Sequence, residues 1–158
     1  MKDQIINLFN DMRSKNLKPT ECQLGLIVLL LKPNKQEANL DSYRPICLLN
    51  ILQKLFASIL TNRLQNYLKI NKSLSQAQAG AINERQIQTK LMINSLIIKD
   101  AKEHKNELYM ITIDFEGAFT NTNRKNLLHI LRKMKLPTNF ISNIEMIIEN
   151  NEAAINKQ

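Results

Sequence analysis

The chain has 158 residues, 44% hydrophobic and 23% charged, with a net charge of +8. That length suits one domain, or one and a fraction, and the apolar content excludes wholesale disorder. The longest apolar stretch, Leu26 to Leu31, is far shorter than the roughly 20 residues that cross a bilayer.

Met1 is followed by Lys2, Asp3 and Gln4, a start that does not open a signal peptide. The positive balance suits a polyanionic partner. It is spread along the chain: residues 1–60 have eight cations against five acids, residues 61–108 eight against four, and the remainder six against five. Cys22 and Cys47 have no CxxC or Cys/His spacing. They read as small buried residues of an intracellular, reducing compartment, not as a disulfide or zinc site.

Residues 3–16 have helical spacing, with Ile5, Ile6, Leu8, Phe9 and Met12 on one side. Pro19 breaks it. Leu24 to Leu31 reads as a buried strand, Lys32-Pro33-Asn34-Lys35 turns it, and Tyr43 to Leu48 reads as a second strand. The two should form a β-hairpin with a long basic connection. Asn50 with Gln53 resembles a capping box, and helical spacing then continues through Leu68 to about Lys69. A polar loop fills 71–85. Ile87 to about His104 reads as a helix and Leu108 to Ile113 as a strand. Two further helices are expected over about Arg124–Lys133 and Asn139–Glu149, the second started by Pro137-Thr138. Strands separated by helices at these lengths imply an α/β layer packing.

Three features bear chemistry. In Ile111-Thr112-Ile113-Asp114-Phe115-Glu116-Gly117-Ala118-Phe119, a carboxylate at the end of an apolar strand can point into a cleft. Two-metal phosphoryl transfer needs such carboxylates to hold Mg²⁺ ions. Small residues at Gly117 and Ala118 would let backbone N–H groups approach a triphosphate. Capping of a turn by Asp114 is the alternative. The second feature is the set Lys32, Lys35 and Arg44, donors suited to phosphates or simply a solvated loop. The third, Gln78-Ala79-Gly80, is by itself a turn.

In combination these features resemble the reverse transcriptase domain of non-LTR (LINE-type) retrotransposons. The resemblance rests on KPNK, then SYRPICLLNILQKLFASILTNRLQNYL, then QAG followed by Arg85, then ITIDFEGAF and LLHILRKMKLP, in that order. It runs from about Ile5 to Ala154. It implies fingers and early palm over 1–107 and a partial palm over 108–158, with Leu108–Ile113 as the first palm strand. It implies that Asp114, with the Phe115 carbonyl, is the first catalytic metal ligand for Mg²⁺, and that Phe119 is the steric gate. Lys32, Lys35 and Arg44, with Phe115, Gly117 and Ala118, would hold the incoming nucleotide. Gln78, Gly80 and Arg85 would contact the template, so the partners implied are an RNA template and a DNA primer.

Departures accompany the likeness. Thr120 stands where the family writes Asp, and Ala81 and Glu84 stand where it writes Phe and Gly in GFxxGR. Glu84 places negative charge near the expected template path. The Tyr-x-Asp-Asp motif does not occur in these 158 residues, so the chain alone is expected to be inactive. A non-catalytic binding or structural subunit derived from such a domain is the competing reading, with a protein partner over an exposed palm edge.

Overall fold

Apolar residues at helical spacing become helices wherever the sequence places them. The computed structural model describes residues 2–149 and 151–155. Its helices are α1 (Lys2–Lys15), α2 (Ile51–Ile70), α3 (Ile87–Glu103), α4 (Arg124–Lys133) and α5 (Thr138–Ile148), each close to its expected ends. Asn50 caps α2, its Oδ1 accepting from the Leu52 N–H at 2.9 Å. The other half of the expected capping box does not form. Gln53 is buried, and its Nε2 donates to Asn151 Oδ1 at 3.4 Å. A side chain committed to that tertiary contact cannot turn back to its own helix end.

β1 (Leu24–Leu31) and β2 (Tyr43–Leu48) pair antiparallel, from Leu26 opposite Leu48 to Leu31 opposite Tyr43. This is the expected hairpin, but β1 is not the expected buried strand: Leu24, Leu26, Leu30 and Leu31 are exposed. A third strand, β3 (Glu152–Ile155), pairs parallel to β1 on its other side, giving the order β2-β1-β3. The helices between β1 and β3 supply the long connection that a parallel pair requires. Gly25 of β1 sits where a Cβ would approach Cys47 Sγ to 2.7 Å and the Glu152 carbonyl oxygen to 3.7 Å.

Two further expectations are corrected. Leu108–Ile113 is not a strand: residues 106–115 have no regular secondary structure. A strand exists through its ladder, and among the described residues none pairs with this segment. Cys47 is exposed, although Cys22 is buried; β2 is an edge strand whose residues are largely open to solvent.

The chain packs as two units, residues 1–62 with 124–158, and residues 63–123. The expected division at 107/108 falls inside the second unit. In the first unit, Met12, Phe56 and Leu60 form a core, with Leu8, Phe9, Phe140, Ile144, Met146 and Ile147 around it. The Phe9 and Phe56 rings meet edge to face at 5.5 Å and 61°. Leu128, Leu131, Leu136 and Ile141 are buried as well. In the second unit, Ala79 is the one buried residue among those described.

Candidate nucleotide and nucleic-acid site

In the first unit, the hairpin end is braced by its own backbone and side chains. The Lys32 N–H donates to the Ser42 carbonyl at 2.7 Å. Lys32 Nζ donates to the Asp41 carbonyl at 2.7 Å, and the Tyr43 hydroxyl donates to the Glu37 carbonyl at 3.1 Å. Asn39 Oδ1 accepts from the Asp41 N–H at 3.0 Å. The Lys32 ammonium is therefore half-buried and engaged. Lys35 and Arg44 are exposed; Arg44 lies opposite Leu30, at the same end of the hairpin as Lys32.

In the second unit, Arg85 acts first on its own loop. Its Nη1 donates to the carbonyls of Ser75 (2.6 Å) and Gln78 (2.7 Å), so Gln78 and Arg85 are joined, through the backbone of Gln78. Gln65 of α2 clamps the same loop: its Nε2 donates to the Ala81 carbonyl at 3.3 Å, and its Oε1 accepts from the Asn83 N–H at 3.2 Å. Glu84 pairs with Lys69, and the hydrogen bond from that ammonium holds its carboxyl below the usual carboxylate range. The negative charge expected to oppose a template is thus matched by a lysine. Ala81 and Glu84 have φ of +57° and +67°, in the left-handed region where glycine is favoured. Glu84 therefore takes a backbone conformation that favours glycine, and Lys69 ties its side chain down. A cavity of about 240 Å³ lies between the end of α2 and this loop, lined by Leu68, Leu74 and Ile82 among others. Gly80 has open space around it.

Asp114 is exposed, and among the described residues it has no ion pair or side-chain hydrogen bond. The turn after it is closed tightly. Gly117 has φ +57°, and its carbonyl accepts from the Asn121 N–H at 2.8 Å and the Thr120 hydroxyl at 3.1 Å. Asn121 Nδ2 donates to the Glu116 carbonyl at 2.9 Å, and the Thr122 hydroxyl to the Ala118 carbonyl at 2.7 Å. A Cβ on Gly117 would meet Thr120 Oγ1 at 2.8 Å and Asn121 Nδ2 at 2.9 Å. Thr120, at the family's Asp position, spends its hydroxyl on this turn. Phe115 and Phe119 project into solvent, Phe119 at 97% exposure.

No group of three or more His, Cys, Asp or Glu side chains gathers to hold an ion among the described residues. Asp114 and the Phe115 carbonyl would supply two oxygens, short of what a pair of divalent ions requires. Sequence reading missed Gln65, Lys69 and Asn121, the residues that shape the two loops. Their partners lie 4 to 18 positions away with no short-range signature, except that Asn is common in turns.

Residues 31–158 match the family model described as reverse transcriptase (RNA-dependent DNA polymerase). The chain is similar to a probable RNA-directed DNA polymerase from transposon BS of Drosophila melanogaster, 26% identical over 133 residues, covering 80% of this chain and 14% of that protein. It is similar to the RNA-directed DNA polymerase from mobile element jockey of Drosophila funebris, 24% identical over 136 residues, covering 86% and 15%. A probable RNA-directed DNA polymerase from transposon X-element of Drosophila melanogaster is 26% identical over 152 residues, covering 94% and 16%. The chain thus spans only a small part of these curated relatives' length. With most of its residues inside the family model, and a braced basic hairpin and a Gly117 turn in the segments that carry the likeness, this chain belongs to the reverse transcriptase family, as a domain of the non-LTR retrotransposon kind.

Proposed function

We propose that this chain forms the fingers and first palm segment of an RNA-directed DNA polymerase, working on an RNA template and a DNA primer. The observation that carries this is the continuous family match over 31–158, which takes in all three chemistry-bearing segments. Lys35 and Arg44, exposed at one hairpin end, hold the incoming triphosphate, while Lys32 chiefly holds the hairpin closed. Gln78, Gly80 and Arg85 shape the template-facing loop. Asp114 and the Phe115 carbonyl give the first ligands to a divalent ion, and Phe119 excludes a 2′-hydroxyl. Gly117 and Ala118 leave backbone N–H groups open to phosphate oxygens. Mg²⁺, when bound, would neutralise charge developing on the transferred phosphoryl group.

The 158 residues alone do not complete that site. Primer extension on an RNA template with Mg²⁺ should give no product. Incorporation above background that is abolished by Asp114→Ala would overturn this. A second reading is a non-catalytic subunit with a protein partner over the 108–119 segment, where Ile111, Ile113 and Phe115 are exposed.

A further inference from the structure

Between Gly117 and Ile144 the sequence has five cations, Arg124, Lys125, Arg132, Lys133 and Lys135, and neither Asp nor Glu. Asp114 and Glu116 before it, and Glu145, Glu149 and Glu152 after it, nearly cancel this charge in any average over the region. The fold separates what the average mixes. α4 buries Leu128 and Leu131 and half-buries Leu127. Lys125, His129, Arg132 and Lys133 are exposed, at positions i, i+4, i+7 and i+8, and so share one stripe of the helix. None of the four has an ion pair or side-chain hydrogen bond among the described residues. Glu145 of α5 and Glu149 just past its end line a different cleft, with Asn16, Lys18 and Gln23.

Helix stability does not account for this stripe. Arg132 and Lys133 lie in the last turn, where cations complement the helix dipole. Arg124 and Lys125 lie in the first turn, which has no acidic residue, and there cations oppose the dipole. Charge kept at both ends of a helix, with one face free of acids, matches a polyanion along its length.

We propose that the outward face of α4 is a second nucleic-acid contact, holding the phosphate backbone of a duplex through Lys125, Arg132 and Lys133. From Lys125 to Lys133 the helix rises about 12 Å at roughly 1.5 Å per residue. That span runs beside about three phosphates, at roughly 3.4 Å of axis per nucleotide of one strand. The stripe has no Phe, Tyr or Trp on which an unstacked base could lie, so it suits a backbone rather than exposed bases. The contact rests on the reading that this chain handles nucleic acid, but not on polymerisation.

The test is salt-dependent binding of a labelled RNA–DNA hybrid duplex to the 158-residue chain, with single-stranded RNA as a second arm. The parent is compared with Lys125→Gln/Arg132→Gln/Lys133→Gln and with Lys35→Gln/Arg44→Gln. The α4 variant should lower the log–log salt slope for the duplex by about 2 to 3, at roughly 0.9 per phosphate, with little change for single-stranded RNA. The hairpin variant should act mainly on the single strand. A far-ultraviolet circular dichroism spectrum matching the parent verifies the fold. If it differs, Lys125→Gln alone, which relieves the first turn, should still lower the slope by about 1. An unchanged duplex slope in a folded α4 variant, or no duplex binding by the parent at about 50 mM salt, overturns the proposal. The hairpin arm on single-stranded RNA then still tests the fingers reading independently.

Discussion

Backbone strain at single residues holds both loops that bear the likeness, and it gives opposite expectations at two positions. Gly117 is glycine for a physical reason: φ is +57° and a Cβ would press on Thr120 and Asn121. A non-glycine residue in that region costs about 1–2 kcal/mol. Gly117→Ala should therefore loosen the turn and speed hydrogen exchange of the Asn121 amide about tenfold. Ala81, at φ +57°, presents the reverse case. Ala81→Gly should relieve about 1 kcal/mol of strain and slow exchange of the Asn83 amide, which Gln65 holds. Slower exchange in the first variant, or faster in the second, would refute the account. The cysteines differ for another reason. Burial, then the charge of Glu21, pushes the Cys22 thiol up from its ordinary value. It thus stays neutral at neutral pH, and a thiol reagent should modify exposed Cys47 first, reaching Cys22 only on unfolding. The sign for stability follows. The unfolded chain ionises this thiol before the folded one, so the contribution is whole below the ordinary thiol value and is lost as pH rises from there through the raised folded value.

Elements were legible in the sequence where one face of local spacing decides burial. α1, α2 and α5 meet through Met12, Phe56 and Ile144, and all three helices show that spacing. Phe56 belongs to the core cluster that residues of α1 and α5 pack against, and its ring meets Phe9 edge to face. Phe56→Ala should cost about 3–5 kcal/mol, read as a lower midpoint of urea unfolding; a loss below about 1 kcal/mol would show that the core is not the one described. The hairpin was legible because a turn-rich connection separates two apolar runs. β3 was not, because Glu152-Ala153-Ala154-Ile155 has no strand pattern of its own and is fixed by β1, more than a hundred residues earlier. Leu108–Ile113 fails in the opposite sense: it has strand residues but no strand partner among the described residues. Asp114 and Phe119 could be named from the sequence, yet the Lys69–Glu84 and Gln65 clamps depend on loop geometry that no spacing announces.

At the scale of the whole molecule, burial is divided unequally. The first unit contains Met12, Cys22, Phe56, Leu60, Leu128, Leu131, Leu136 and Ile141 as buried apolar residues, while the second has Ala79 alone among the described residues. α3 has no buried residue, although Leu91, Met92, Leu96 and Ile97 are apolar and exposed. The 108–119 segment adds Ile111 at 89%, Ile113 at 79% and Phe115 at 76% exposure. Scattered exposed apolar residues are ordinary, but such a density marks a surface that associates. Residues with high β propensity and no ladder partner are also a template for pairing. The isolated chain should therefore self-associate at micromolar concentration, with a weight-average mass in sedimentation equilibrium that rises with loading. Ile111→Thr/Ile113→Thr keeps β-branching while removing apolar area, and should shift that association to higher concentration. Ammonium sulfate separates this association from nucleic-acid binding: excluded salts strengthen apolar contacts, whereas phosphate contacts weaken as salt rises. A monomer that stays monodisperse across that range, unfolding in one cooperative step, would show that these faces need no cover.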